Sequence, residues 1–181
     1  MYGTSRRRLR APVFYLPGDP MTHNDVFRRV RYALDLSNPK LQEIFLLAGH
    51  EVAAGEILAL LKKEGEEGWL PMDDDLLECF LDGLIALRRG KRETEAGAAG
   101  KRRGMLSNND ILKKLRIALE LKEADMLAVF QLAGFPTSKS ELTALFRTRG
   151  HANFKECGDQ LLRNFLKGLT VKYREPETSR T

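Results

Sequence analysis

Apolar residues recur at helical spacing along most of the chain. Val26, Phe27, Val30, Ala33 and Leu34 fall on one face of a 3.6-residue period, as do Leu41, Ile44, Phe45 and Ala48. Leu76, Leu77, Phe80, Leu81 and Leu84 mark a further amphipathic stretch. Punctuation at the ends of these stretches agrees with the pattern. Thr22 to Asp25 reads as a capping box, in which the hydroxyl and the carboxylate satisfy each other's backbone N–H groups. Gly49 and Gly65 read as stops, and Asp73-Asp74-Asp75 suits the positive end of a helix. The expected elements are a helix opening at Thr22, a second over 39–48, a third over 55–64 and a fourth beginning in the acidic run.

The same pattern then repeats. Residues 21–89 slide onto 106–174 at a constant offset of 85 without a gap, and 22 of the 69 aligned positions are identical. "NDVFRRVRYALDL" returns as "NDILKKLRIALEL", and "LAG" stands at 47–49 and again at 132–134. Ser107 to Asp110 repeats the first capping box, and Ser138 to Glu141 adds another. A copy of about 70 residues is marginal alone, and two copies are too few for a self-supporting solenoid. The expected fold is therefore all-α: two tandem copies of a four-helix unit packed as a pseudo-two-fold helical domain pair. Its parts are a flexible arm or mis-called start over 1–20, helical repeat 1 over 21–89, a basic Gly/Ala linker over 90–104, helical repeat 2 over 105–174 and a disordered tail over 175–181. Of the two accounts of 1–20, the repeat favours a true start at Met21. Gly83 and Gly168 interrupt both fourth helices, although glycine costs about 1 kcal/mol there against alanine. That penalty predicts a close backbone approach, with the two fourth helices crossing at these positions.

Charge changes the picture less than the total suggests. The chain of 181 residues carries a net +5. Repeat 1 has 8 basic and 13 acidic residues, whereas 105–174 has 12 basic and 7 acidic. The two repeats cancel and should attract each other; the excess lies in the segments read as flexible. Cys79 and Cys157 cannot build a disulfide framework, which fits a reducing cytoplasm. No apolar run approaches the roughly 20 residues of a membrane-spanning helix, and 1–20 lacks the apolar stretch of a secretory signal.

"THNDVFRRVRYALDL", "EIFLLAG" and "DLLECFLDGLIALRRG" resemble the YehS-like bacterial family of duplicated domains of unknown function. The resemblance covers about 21–92 and 105–175. It implies a small soluble cytoplasmic bacterial protein and brings no activity, cofactor or catalytic residue with it. The second copy departs at its last helix, where "LTVKYREPE" replaces "LIALRRGKRE", so any role of that basic ending would belong to the first copy.

Candidate chemistry is sparse. Arg31 and Arg116 sit beside the apolar face of their helices. Charged side chains are seldom buried unpaired, so Asp25, Glu56 and Asp74, with Asp110, Glu141 and Asp159 in the second copy, are the expected partners in structural pairs at the repeat junction. The competing reading is a symmetric anion site there. The second and third helices of each copy have the outline of a helix-turn-helix, with Gly49 at the ninth position from Leu41. In the second copy Lys113, Lys114, Arg116, Lys139, Arg147, Arg149 and Lys155 are candidates for contact with an anion or nucleic acid. Phe45 and Phe130 stand where tight helix packing wants a small residue, and Glu56, Glu64 and Glu66 would repel phosphate. His23, His50 and His151 occupy non-equivalent positions, and no catalytic or metal-binding motif is present. No cofactor and no metal are expected. The leading expectation is a non-catalytic binding or interaction module that meets an unknown protein partner or its own copies, away from the membrane. The alternative is a nucleic-acid-binding regulator using the basic second repeat; an enzyme with a site at the repeat junction ranks last.

Overall fold

The computed structural model describes residues 20–90 and 105–174, which form eight helices and no strand. Repeat 1 contributes α1 (His23–Ala33), α2 (Asn38–Leu47), α3 (Ala54–Leu61) and α4 (Asp74–Arg89). Repeat 2 contributes α5 (Asn108–Ala118), α6 (Glu123–Leu132), α7 (Lys139–Leu145) and α8 (Asp159–Arg174). The arm, the linker and the tail expected from the sequence lie outside the described residues, apart from Pro20 and Gly90.

Local chemistry sets the ends of these helices. The expected capping boxes form at both first helices, Thr22 with Asp25 and Ser107 with Asp110. The box expected of Ser138 and Glu141 forms too, at α7, and Asp73 caps α4 by accepting from the Leu76 N–H. The α1 end is closed by a double backbone bond: the Leu36 N–H donates to the Arg31 carbonyl and the Asp35 N–H to the Tyr32 carbonyl. This geometry needs a left-handed residue, and here Asp35 (φ 54) and its counterpart Glu120 (φ 52) take the position usually given to glycine. Helix α3 stops at Leu61, short of the expected 64. The Leu60 carbonyl accepts from Asn24 and the Ala59 carbonyl from the Leu70 N–H, so sideways bonds occupy the oxygens that a longer helix would use.

One continuous apolar cluster runs through both repeats. Phe27, Phe45, Phe80, Phe130 and Phe165 are fully buried, each contributing roughly 1.5–3 kcal/mol by burial. Helix α4 packs on α2 of its own repeat and on α5 of the other, and α8 packs on α6 and on α1. Each repeat therefore completes the core of its neighbour. The glycines confirm a close approach but correct its partner. A Cβ on Gly83 would lie 1.9 Å from the Ile44 carbonyl oxygen, and one on Gly168 would lie 1.9 Å from that of Val129. The fourth helix meets the second helix of its own repeat at these positions, rather than the other fourth helix.

Helices α4 and α5 run parallel, because the start of α4 touches the approach to α5 and its end touches the residue after α5's cap. Gly90 and Met105 thus stand at opposite ends of α4, about 24 Å apart at 1.5 Å per helical residue. Fourteen intervening residues can span up to roughly 46 Å, so the long separation between repeats has a geometric reason.

Candidate functional site

The polar residues singled out in the sequence fall into three groups: junction contacts, helix caps and exposed corners. At the junction, Asp74 accepts from the Leu106 N–H at 2.8 Å, and Asp159 accepts from the Met21 N–H at 2.9 Å. Met21 and Leu106 are equivalent positions, so each repeat holds the entry of the other's first helix. The second carboxylate oxygen stays within its own repeat, meeting His23 Nδ1 (3.4 Å) at Asp74 and the Asn108 amide (2.7 Å) at Asp159. At the far ends Arg174 pairs with Asp35 and Arg89 with Glu120, so the left-handed acidic residues answer arginines of the opposite repeat. Arg174 also donates to the Tyr32 carbonyl and lies 4.4 Å over the Tyr32 ring. The basic ending of α4 is consequently not peculiar to the first copy, since Arg89 and Arg174 do the same work.

The arginine pair departs from expectation. Arg31 donates to the Asn38 side chain at 3.2 Å, and Arg116 donates to the Leu121 carbonyl while lying 4.7 Å over the Phe146 ring. The bonds they make are to an amide and a carbonyl, because both side chains turn back toward their own helix's exit. Asp25 pairs instead with Arg28, inside the cap of α1, and Asp110 closes the equivalent cap of α5. Glu141 caps α7 and meets Lys155 at 3.1 Å. Its carboxyl is held down at about 2 by the Ser138 N–H, then by Lys155 and the Ser138 hydroxyl. Glu56 lies in the first turn of α3. Of the expected junction carboxylates, Asp74 and Asp159 reach across, and they do so to backbone N–H groups.

Two residues read from sequence only as part of a cap do more. The Asn24 amide is buried; it donates to the Leu60 and Leu70 carbonyls and its oxygen accepts from the Met72 N–H, all at 2.9 Å. Asn109 repeats the set with Leu145, Lys155 and Cys157. Each clamps the start of the first helix to the end of the third and to the approach of the fourth. Their identity in both copies was the available signal.

The basic candidates of repeat 2 are divided. Lys114 is three-quarters or more covered and bridges to Glu78 (3.2 Å) and Asp82 on α4. With Arg116 engaged as described, both side chains are committed to contacts within the fold. Lys139 pairs with Glu123 at 2.7 Å and Lys155 with Glu141, all largely in solvent. Arg147 is half-buried with Nη1 3.3 Å from His151 Nδ1, whereas Lys113 and Arg149 are exposed. Residues 48–53 separate α2 from α3, a connection longer than the turn of about three to four residues in a helix-turn-helix.

What remains outward is the α2–α3 corner of repeat 1 and the α6–α7 corner of repeat 2. The first exposes Leu46 (62%) and Leu58 (53%), where the second has Gln131 and Thr143. Residues 41–70 carry six glutamates against Lys62 and Lys63, while 126–155 carry Lys139, Arg147, Arg149 and Lys155 against Glu141. With Lys40 counted in α2 and Glu123 and Asp125 in α6, the same backbone presents an acidic corner in repeat 1 and a nearly neutral one in repeat 2. Beside the first corner lies a cleft of about 290 Å3 lined by Thr22, Asp25, Arg28, Glu64 and Trp69. An open acidic depression of about 670 Å3 at the junction is lined by His23 and Asp73 to Asp75.

A family model of proteins of unknown function, DUF1456, matches this chain twice, over residues 23–90 and 108–175. The chain belongs to the DUF1456 family. The uncharacterised protein YehS of Escherichia coli (strain K12) is 45% identical over 152 residues, covering 84% of this chain and 96% of the relative. No solved structure matches. The two matched segments coincide with the repeats, so the DUF1456 unit is the four-helix copy, and the duplication and the family resemblance read from the sequence both stand.

Other chemistry of this DUF1456 chain points inward. Burial, reinforced by Asp159, pushes the Cys157 thiol up to about 12, and burial with Asp82 pushes Cys79 up to about 11. Both thiols are free and held in the protonated, weakly nucleophilic form. Among the described residues no cluster of His, Cys, Asp and Glu could hold a metal ion, and no helix is long and apolar enough to cross a membrane.

Proposed function

We propose that this DUF1456 protein is a non-catalytic interaction module of the cytoplasm, and that its docking surface is the α2–α3 corner of repeat 1. One observation carries the reading: Leu46 and Leu58 stand in solvent on a corner whose twin folds with Gln131 and Thr143. The fold therefore does not require these leucines, and exposed apolar surface rimmed by polar residues is the usual mark of an interaction site. Six glutamates in the same stretch favour a partner segment that presents apolar side chains flanked by basic ones.

A photo-reactive amino acid at position 58 tests this in cells. The expected result is a discrete protein adduct that Leu46→Gln diminishes. No protein adduct, or an adduct with nucleic acid alone, would sink the reading. The exposed Arg149 and Lys113 favour a second reading, binding of a phosphate backbone by repeat 2. It predicts a gel shift that weakens steeply with salt and is reduced by Arg149→Glu.

A further inference from the structure

We infer that the packed pair α1 and α8 carries a binding site for phosphate groups, built from Arg29 of α1 with Arg163 and Lys167 of α8. The site shares no residue with the docking corner proposed above and does not depend on it. Observed contacts fix how the two helices lie. Asp159 at the start of α8 holds the Met21 N–H, and Arg174 at its end meets Asp35 and the Tyr32 carbonyl. The helices therefore run side by side and parallel. A count from the first anchor brings Lys167 level with Arg29, with Arg163 one turn earlier on α8. The other junction shows that such a count is sound. From Asp74 and Leu106 it brings Asp82 level with Lys114 and Glu78 one turn earlier, and Lys114 is bonded to both, at 3.2 Å to Glu78. The chemistry of the two junctions is inverted. Between α4 and α5 one cation meets two carboxylates, whereas α1 and α8 bring three cations to the same level, which repel one another. Arg163 donates to the Gln160 side chain at 3.1 Å and Lys167 to the Ala133 carbonyl at 3.3 Å, bonds that bring no counter-charge. Asp25 and Asp159, the carboxylates of these two helices, are engaged elsewhere: Asp25 by the cap of α1 and Arg28, Asp159 by Met21 and Asn108. Two guanidinium forks and an ammonium match a phosphate, which has oxygens for all three. Arg29 and Arg163 are half-buried and Lys167 is exposed, so the level is open to solvent.

Isothermal titration of the full chain with inorganic pyrophosphate, at an ionic strength held constant with chloride, tests the inference. The wild type should bind, and Arg163→Glu or Lys167→Asp should weaken the affinity by about tenfold or more. Each substitution installs the carboxylate that α4 carries at the matching position, so the fold should survive. Thermal melts without the anion check that it does. There Arg163→Glu should melt no lower than wild type, because Arg29 gains the kind of partner that Lys114 has. A single-stranded oligonucleotide at equal phosphate concentration separates the sources of the phosphate. Tighter binding than pyrophosphate, lost in Arg163→Glu, assigns the site to a nucleic-acid backbone; weaker binding assigns it to a small phosphorylated solute. A wild type that binds neither probe overturns the inference, and so does Arg163→Glu binding them as tightly as wild type. A lower Tm for Arg163→Glu without the anion would overturn it too, since no cation would then stand beside position 163.

Discussion

Asn24 shows how much structure a single side chain can hold. Three backbone groups depend on it, those of Leu60 and Met72 in buried bonds, and each orphaned buried group costs about 1–3 kcal/mol. Asn24→Leu is expected to destabilise by about 3 kcal/mol or more, lowering Tm by roughly 6–12 °C for a body of this size. Asn109→Leu should cost less, since that clamp is only half-buried and its Lys155 carbonyl has access to water. Equal losses, measured by thermal melts, would contradict the burial argument. Glu141 gives a pH-dependent counterpart. Its folded carboxyl sits near 2 against an ordinary 4.5, so the stability it adds is fully present above the ordinary value and fades as pH falls through about 2. The Tm difference between wild type and Glu141→Gln should be level above pH 4.5 and shrink below it. At this scale the sequence was partly legible. Caps were readable because their spacing is local, whereas the partners of Arg31 and Arg116 were not, since they depend on how each side chain folds back over its own helix exit.

Helix order, type and starts were written in period and punctuation, and duplication multiplied the signal. The ends were harder: α3 stops early because of bonds from residues far away in sequence, Asn24 and Leu70. The glycines of α4 and α8 illustrate a conflict that only geometry decides. Alanine at position 83 would gain about 1 kcal/mol in helix propensity. Its Cβ would fall 1.9 Å from a backbone carbonyl on α2, and forced overpacking costs about 1–3 kcal/mol. Gly83→Ala is therefore expected to destabilise. Gly55→Ala on α3, where nothing lies within 4 Å, should stabilise by up to about 1 kcal/mol. Denaturant midpoints of the two variants shifting in the same direction would contradict this account of α4.

For the whole molecule, the equivalences explain why so little of the charge is available for ligands. Asp74, Asp159, Arg89, Arg174, Asp35, Glu120 and Lys114 all hold one repeat to the other. From the sequence their recurrence could equally mean a symmetric binding site, because an offset of 85 says which residues are equivalent and not which face each other. The proposed docking corner draws on that placement: the duplicated polar residues are engaged at the junction, in caps or in packing, and the repeats diverge at their outward corners. Co-expression of residues 20–90 and 105–174 as two separate chains tests this most directly. The expected result is a one-to-one complex that melts in a single cooperative transition, with neither half folding stably as a monomer. Two halves that each melt cooperatively alone and do not bind one another would contradict it.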